Sequence, residues 1–201
     1  MQNIENIIFD MGNVLLSYDP YVSLDKYCSG EEEKKIILKE LFMGQEWVEK
    51  DLGIMTDDEA FERISSRVPK ENHTALRNCL DYWDICMIPI RGSLEFVETV
   101  KNEGYNLYVL SNASTRFYRY FPKYYPLDTF KGVVVSADIH MIKPDMRIYD
   151  YILKKYDMAA QSSVFIDDSP DNIYAACRTG INGIIFNHNW EEIYEKIHNG
   201  I

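Results

Sequence analysis

Short runs of uninterrupted apolar residues recur along this chain with helical stretches between them, and that alternation constrains the fold more than any other feature. The runs are Asn6 to Phe9, Leu107 to Leu110, Val133 to Ser136, Val164 to Ile166 and Gly183 to Phe186. Each is apolar at nearly every position rather than at every second one, the pattern of strands buried on both faces of a parallel sheet. The stretches between them carry helix punctuation. Ser169 reads as an N-cap with Pro170 at the first helical position, and Gly180 closes that helix. Pro144 is expected to open the helix through Ile148 and Ile152, and Gly104 to end the one running from Leu94. Repeated strand–helix units predict an α/β, doubly wound, parallel-sheet (Rossmann-like) core.

From about Tyr18 to Met87 the alternation stops. The segment has no strand-like run, but Ser29 with Glu32 and Thr56 with Glu59 each match the S/T-x-x-E capping box ahead of an apolar-periodic run. Asp51-Leu52-Gly53 reads as a break between helices. The expected organisation is therefore a core from residues 1–17 and 88–201, with a small all-helical unit, 18–87, inserted after the first strand. Glu31 to Glu33, followed by Lys34 and Lys35, reads as the solvated first turn of a helix with its acids near the N-terminus.

With 201 residues the chain can bury a full core. Its formal net charge of −11 argues against nucleic acid and against an anionic membrane as partners, because both are bound through basic surface. An anionic ligand must then be attracted locally, by a metal or a lysine, rather than by the overall field. Cys28, Cys79, Cys86 and Cys177 have neither CxxC spacing nor partner histidines, so they read as free thiols of a reducing compartment. The N-terminal run lacks a basic region and a long apolar stretch, and no segment reaches membrane-spanning length, so a cytoplasmic protein is expected.

Four polar clusters sit at or close behind the apolar runs: Asp10, Ser111-Asn112, Lys143-Pro144 and Asp167-Asp168. In a parallel sheet the carboxyl ends of the strands face one crevice, where residues distant in sequence meet. Asp10 alone would more commonly be a helix cap than a catalyst. Asp167 and Asp168 are adjacent acids behind a buried strand, and their mutual repulsion falls if a divalent cation sits between them and Asp10. An oxygen-only donor set suits Mg2+, and carboxylates, a hydroxyl and a lysine in one crevice suit phosphoryl chemistry.

Taken together and in order, FDMGNVL, VLSNAS, the Lys143-Pro144 pair and FIDDSPDN resemble the four motifs of the haloacid dehalogenase (HAD) superfamily, over essentially the whole chain. The DxGNV-type first motif and IKPDMRIY (Ile142 to Tyr149) are similar to the group containing α-D-glucose-1-phosphate phosphatases. The resemblance implies a Mg2+-dependent phosphatase acting on a small phosphorylated metabolite, with a sugar phosphate favoured. Asp10 would be the nucleophile that forms an aspartyl phosphate. Ser111, helped by the Asn112 backbone N–H, would hold a phosphoryl oxygen, and Lys143 would neutralise charge on both nucleophile and phosphoryl group. Asp10, the Gly12 backbone carbonyl and Asp168 would ligate the metal, with Asp167 in the second shell or as an alternative ligand. The helical insert corresponds to the family's cap.

One position departs from the pattern. Most phosphatases of the superfamily carry a second aspartate two residues after the nucleophile as general acid and base, and Gly12 stands there. Such catalysis contributes roughly 10²–10⁴-fold, so the departure implies a preference for esters with acidic leaving groups. It also leaves open a catalytically weak protein that binds a phosphometabolite or a protein partner. The 2-haloacid dehalogenase branch shares the missing aspartate but replaces the acid pair that Asp167-Asp168 retains. Phe117 to Tyr125 reads as aromatic core or a subunit interface ahead of a sugar-stacking surface, Arg116 and Arg119 equally as surface ion-pairing groups or as holders of an anionic substrate, Trp47 as helix core ahead of substrate wall, and His140 as structural.

Overall fold

The computed structural model describes residues 4–199. Five strands, β1 (Asn6–Phe9), β2 (Asn106–Ser111), β3 (Gly132–Val135), β4 (Ser163–Asp167) and β5 (Asn182–Ile185), form one all-parallel sheet in the order β3-β2-β1-β4-β5. This is the doubly wound α/β architecture expected from the apolar runs. Every position of β1 and β4 is buried, and each fully buried Ile or Phe there contributes roughly 1.5–3 kcal/mol. The runs along β1 fall in register with both neighbours: Ile7 lies beside Leu107 and Val164, and Phe9 beside Val109 and Ile166. At the amino ends a polar ladder fixes alignment, with Asn106 Nδ2 donating to Asn6 Oδ1 at 2.9 Å and Asn6 Nδ2 to Ser163 Oγ at 3.2 Å.

Between β1 and β2 lie helices α1 (Pro20–Tyr27), α2 (Glu31–Ile37), α3 (Gln45–Asp51), α4 (Asp57–Ser65), α5 (His73–Tyr82) and α6 (Ser93–Asn102). Then α7 (Phe117–Tyr120) follows β2, α8 (Ser136–Ile139) and α9 (Met146–Lys155) follow β3, α10 (Pro170–Arg178) follows β4, and α11 (Trp190–Asn199) ends the described chain. The Thr56–Glu59 capping box is present in full at the start of α4. Gly104 and Gly180 adopt positive φ just beyond the ends of α6 and α10, as expected of C-terminal glycines. No described helix is long and apolar enough to cross a membrane.

Three local expectations shift. Helix α9 starts at Met146, two residues later than Pro144 suggested, because the Asp145 carboxylate caps it by accepting the Arg147 N–H at 3.0 Å. In α2 the cap position falls on Gly30, so it is Glu33 rather than Glu32 whose carboxylate accepts the Ser29 N–H and hydroxyl. Ser136 leaves β3 to begin α8, and its hydroxyl bonds outside the sheet.

The segment around Asp51-Leu52-Gly53 fastens the inserted helices to the sheet unit. Ser136 Oγ donates to the Asp51 carbonyl at 2.5 Å, and His140 Nδ1 donates to the Leu52 carbonyl at 2.8 Å. Gly53, at φ +69°, lies so close to the Ala137 backbone that a Cβ there would collide with the Ala137 carbonyl.

Candidate active site

The carboxyl ends of β1, β2 and β4 converge where the chain order reverses across the sheet, the position at which open α/β sheets bind ligands. The Asp10 N–H donates to the Ile166 carbonyl at 2.9 Å, carrying the β1–β4 pairing one residue past the strand and setting the Asp10 side chain at the edge. Asp167 is the last residue of β4 and Ser111 the last of β2. Lys143 arrives from the loop between α8 and α9. The Asn112 side chain clamps that loop, accepting the Lys143 N–H at 2.8 Å and donating to the Lys143 carbonyl at 2.9 Å.

Asp10, Lys143 and Asp167 form one polar network. Lys143 Nζ stands 2.8 Å from Asp10 Oδ1 and 2.7 Å from Asp167 Oδ2, and the lysine side chain is only 1% exposed. Asp10 Oδ1 also accepts the Met11 N–H at 2.6 Å. Both oxygens of Asp167 are taken by protein donors: the Ser169 N–H and Asn172 Nδ2 at Oδ1, Lys143 and Asn172 at Oδ2. Asp168 is left with the Asn13 side chain. Asp10, Asp167 and Asp168 each offer an oxygen within 4.8 Å of the others.

Burial raises Asp10 to about 7, with Lys143 opposing the rise and the Asp167 charge adding to it. Burial and the Asp167 charge likewise raise Asp168. Burial pulls Lys143 down, but the Asp10 and Asp167 carboxylates outweigh it and raise the ammonium. Two acids therefore share one ammonium with a third acid beside them, and the donor set is hard oxygen throughout. A divalent cation such as Mg2+ fits that chemistry, because it offsets the repulsion that a single lysine leaves. Ser111 Oγ, fully buried at the end of β2, has no hydrogen-bond partner among the described residues. A buried hydroxyl costs free energy in that state, so a ligand oxygen is its natural complement.

A cavity of about 200 Å3 opens onto Asp10, Gly12, Asn112 and Asp168. Its remaining wall is mostly aromatic and apolar, with Tyr18, Trp47, Trp83, Met87 and Tyr120, together with the polar Asn13 and the carboxylate-bearing Asp51. Of the sequence-derived candidates, Asp10, Gly12, Asn112 and Asp168 line this cavity, Lys143 and Asp167 join it through their contacts with Asp10, and Ser111 lies buried at the end of β2 beside Asn112. Trp47, expected as helix core, packs its ring 5.0 Å from Trp83 and also lines the cavity. Of the aromatic stretch, Phe117, Phe121 and Tyr125 stack as core, and Tyr120 alone reaches the cavity wall. Arg116 pairs with Asp57, Arg119 with Asp84, and His140 with the Leu52 carbonyl.

Sequence reasoning missed Tyr18, Asp51, Trp83 and Asn13. Asn13 sits at φ +55°, accepts the Tyr18 N–H at 3.1 Å and holds Asp168. An Asn directly after Gly in a strand-to-helix turn is the signal that could have found it, since Asn tolerates positive φ. Nothing in the helical periodicity separates Tyr18, Asp51 and Trp83 from packing residues.

The family model for haloacid dehalogenase-like hydrolases matches residues 48–186. The chain is 26% identical to the sesquiterpene phosphatase astK of Aspergillus oryzae over 184 residues, covering 88% of this chain and 87% of that one. It is 24% identical to the drimenol cyclase drtB of Aspergillus calidoustus over 98% of this chain, which spans 36% of that longer protein. Among solved structures, a HAD family enzyme from Bacteroides thetaiotaomicron in complex with magnesium and inorganic phosphate superimposes with a TM-score of 0.74 at 20% identity, over 96% of this chain and 100% of that one. At that identity the likeness establishes the fold. The family-model match covers well over half of the sequence, and the chain belongs to the haloacid dehalogenase-like hydrolases.

Proposed function

We propose that this protein is a Mg2+-dependent phosphatase that hydrolyses a small phosphate monoester through an aspartyl phosphate on Asp10. The observation that carries the reading is the buried Asp10–Lys143–Asp167 network, with Asp168 and the unpartnered Ser111 hydroxyl at the same sheet edge. The phosphatase activity named for the Aspergillus oryzae relative, and the magnesium and phosphate bound by the Bacteroides enzyme, support it.

In this account Asp10 Oδ2 attacks phosphorus while Oδ1 stays bonded to Lys143 and the Met11 N–H. The phosphorus–oxygen bond to the alcohol breaks, and water then displaces Asp10 from phosphorus to release inorganic phosphate. Lys143 and the Ser111 hydroxyl stabilise the charge on the transferring group. Asp10, Asp168 and the Gly12 carbonyl would hold the metal. Asp167 orients Lys143 instead of ligating, because its oxygens are already saturated. The bound ion would supply Lewis-acid stabilisation of phosphoryl oxygens.

The helices of the 18–87 segment act as the cap that closes the cavity and selects the ester. At about 200 Å3 the cavity is below the ~300–1,000 Å3 of most ligand sites, which favours a compact alcohol. Flat aromatic walls suit a ring. Two donors on those walls, Tyr18 O–H and Trp83 Nε1–H, have no hydrogen-bond partner among the described residues and suit an alcohol bearing further oxygens. A small sugar phosphate meets both demands.

Phosphate release from glucose 1-phosphate and from p-nitrophenyl phosphate, with Mg2+ and with EDTA, tests the proposal. Turnover should require Mg2+ and vanish in Asp10→Asn. Wild-type turnover in Asp10→Asn, or none from any monoester in the native protein, would overturn it.

A further inference from the structure

With Gly12 where most of the superfamily's phosphatases carry an acid, the leaving alcohol needs a proton from elsewhere. Among the described residues lining the cavity the carboxylates are Asp10, Asp168 and Asp51. The first two belong to the cation-binding cluster. Tyr18 and Tyr120 also reach the cavity, but burial holds both phenols far above neutral pH, so neither exchanges a proton readily there. Asp51 stands apart from the acidic cluster, at the C-terminal end of α3.

Its position is fixed from the sheet side. Ser136 Oγ accepts the Ala113 N–H at 2.9 Å and donates to the Asp51 carbonyl, so one hydroxyl ties α3 to the turn after β2. The Ser114 N–H donates to the Asp51 carboxylate. His140 holds the next carbonyl, and Gly53 closes against Ala137. A side chain carried by the inserted helices is thus held by the same β2 turn that presents Ser111 and Asn112.

We propose that Asp51 is the general acid and base of this enzyme, supplied by the inserted helices in place of the residue missing at Gly12. The inference rests on the phosphatase reading. In the first half-reaction Asp10 bonds to phosphorus, the ester phosphorus–oxygen bond breaks, and the Asp51 carboxylic acid gives its proton to the departing alkoxide. In the second, water attacks phosphorus as the Asp10–phosphorus bond breaks, and the Asp51 carboxylate takes one water proton, restoring the acid. Burial raises Asp51 to about 7, with Lys50 opposing, so both forms are accessible at neutral pH. The titratable and charged groups facing it are Lys50 on its own helix, Tyr18 from the β1 turn and Tyr120 from α7, with His140 beside the next peptide. The departure at Gly12 then no longer restricts the enzyme to acidic leaving groups.

The test compares Asp51→Asn with wild type on an alkyl ester, which needs a proton on its leaving group, and on p-nitrophenyl phosphate, which does not. The variant should lose about 10²–10⁴-fold in the first half-reaction on the alkyl ester. On the aryl ester it should still give a burst of one nitrophenolate per enzyme, followed by slow turnover as the aspartyl phosphate waits for its base. In wild type, an alkaline limb near neutrality should appear with the alkyl ester and be absent from the aryl burst. Equal loss on both esters in the first step, or no loss on either, overturns the role of Asp51. Inactivity of the wild type on both esters would instead sink the phosphatase reading beneath it, and the wild-type pH limb remains informative should the variant fold poorly.

Discussion

Replacing Lys143 by Met leaves a side chain of similar length and removes the one ammonium shared by Asp10 and Asp167. Asp167 is fully buried, the Asp10 side chain is 12% exposed, and both contacts are below 3 Å. Removing one partner of such a buried pair costs about 3–5 kcal/mol, because a charge is left uncompensated in a poorly solvating interior. For a chain of this size that corresponds to a fall in Tm of roughly 6–20 °C. The sign of the pH dependence follows from the carboxyls. Burial already raises Asp10 to about 7, against which Lys143 acts as the largest opposing influence. Without the lysine, the folded variant holds carboxyl protons to still higher pH than the unfolded chain, where they leave near ~3.9. Its stability therefore falls as pH rises between those limits. Thermal melts in EDTA at pH 4.5 and pH 8 should show a small gap from wild type at the lower pH and the full gap at the higher. A variant as stable as wild type at pH 8, or one whose deficit ignores pH, would refute the reasoning.

Three further outcomes are expected. Asn13→Gly keeps a residue at ease with φ +55° but removes the carboxamide on Asp168; the Mg2+ concentration for half-maximal phosphate release should rise roughly 10–100-fold, as for loss of a ligand's outer partner. Gly53→Ala forces a Cβ onto the Ala137 backbone at φ +69°, which should cost about 1–3 kcal/mol in chemical unfolding and reduce turnover by displacing Asp51. Asp51→Asn should be more stable than wild type at pH 8 and not at pH 4: the folded pKa is raised to about 7 from 3.8, so ionising Asp51 destabilises the fold increasingly across that window, by up to ~4 kcal/mol.

The sheet and its polar edge were legible because strands buried on both faces announce themselves as solid apolar runs, and a residue placed directly behind such a run has nowhere to go but the carboxyl edge. Asp10, Ser111 and Asp167 needed no more than that. Lys143 lies in a loop, and its place depended on likeness to known motifs until Asn112 was seen to clamp its backbone from both sides. The cavity wall was not legible. Trp47 and Trp83 share apolar contacts with the helical core and face the ligand space at once, and amphipathic spacing cannot separate the two uses. Asp51 read correctly as a helix end, yet its importance arises from docking against Ser136, Ser114 and Ala137, contacts between segments more than sixty residues apart.

Attack by Asp10 on phosphorus is tested most directly by trapping. The enzyme is quenched during turnover of a phosphate monoester with Mg2+ and treated with borohydride, which reduces an acyl phosphate to the alcohol, and position 10 is read by peptide mass spectrometry. The account predicts homoserine at position 10, dependent on both ester and Mg2+. Steady phosphate release with Asp10 recovered as unmodified aspartate throughout would contradict it.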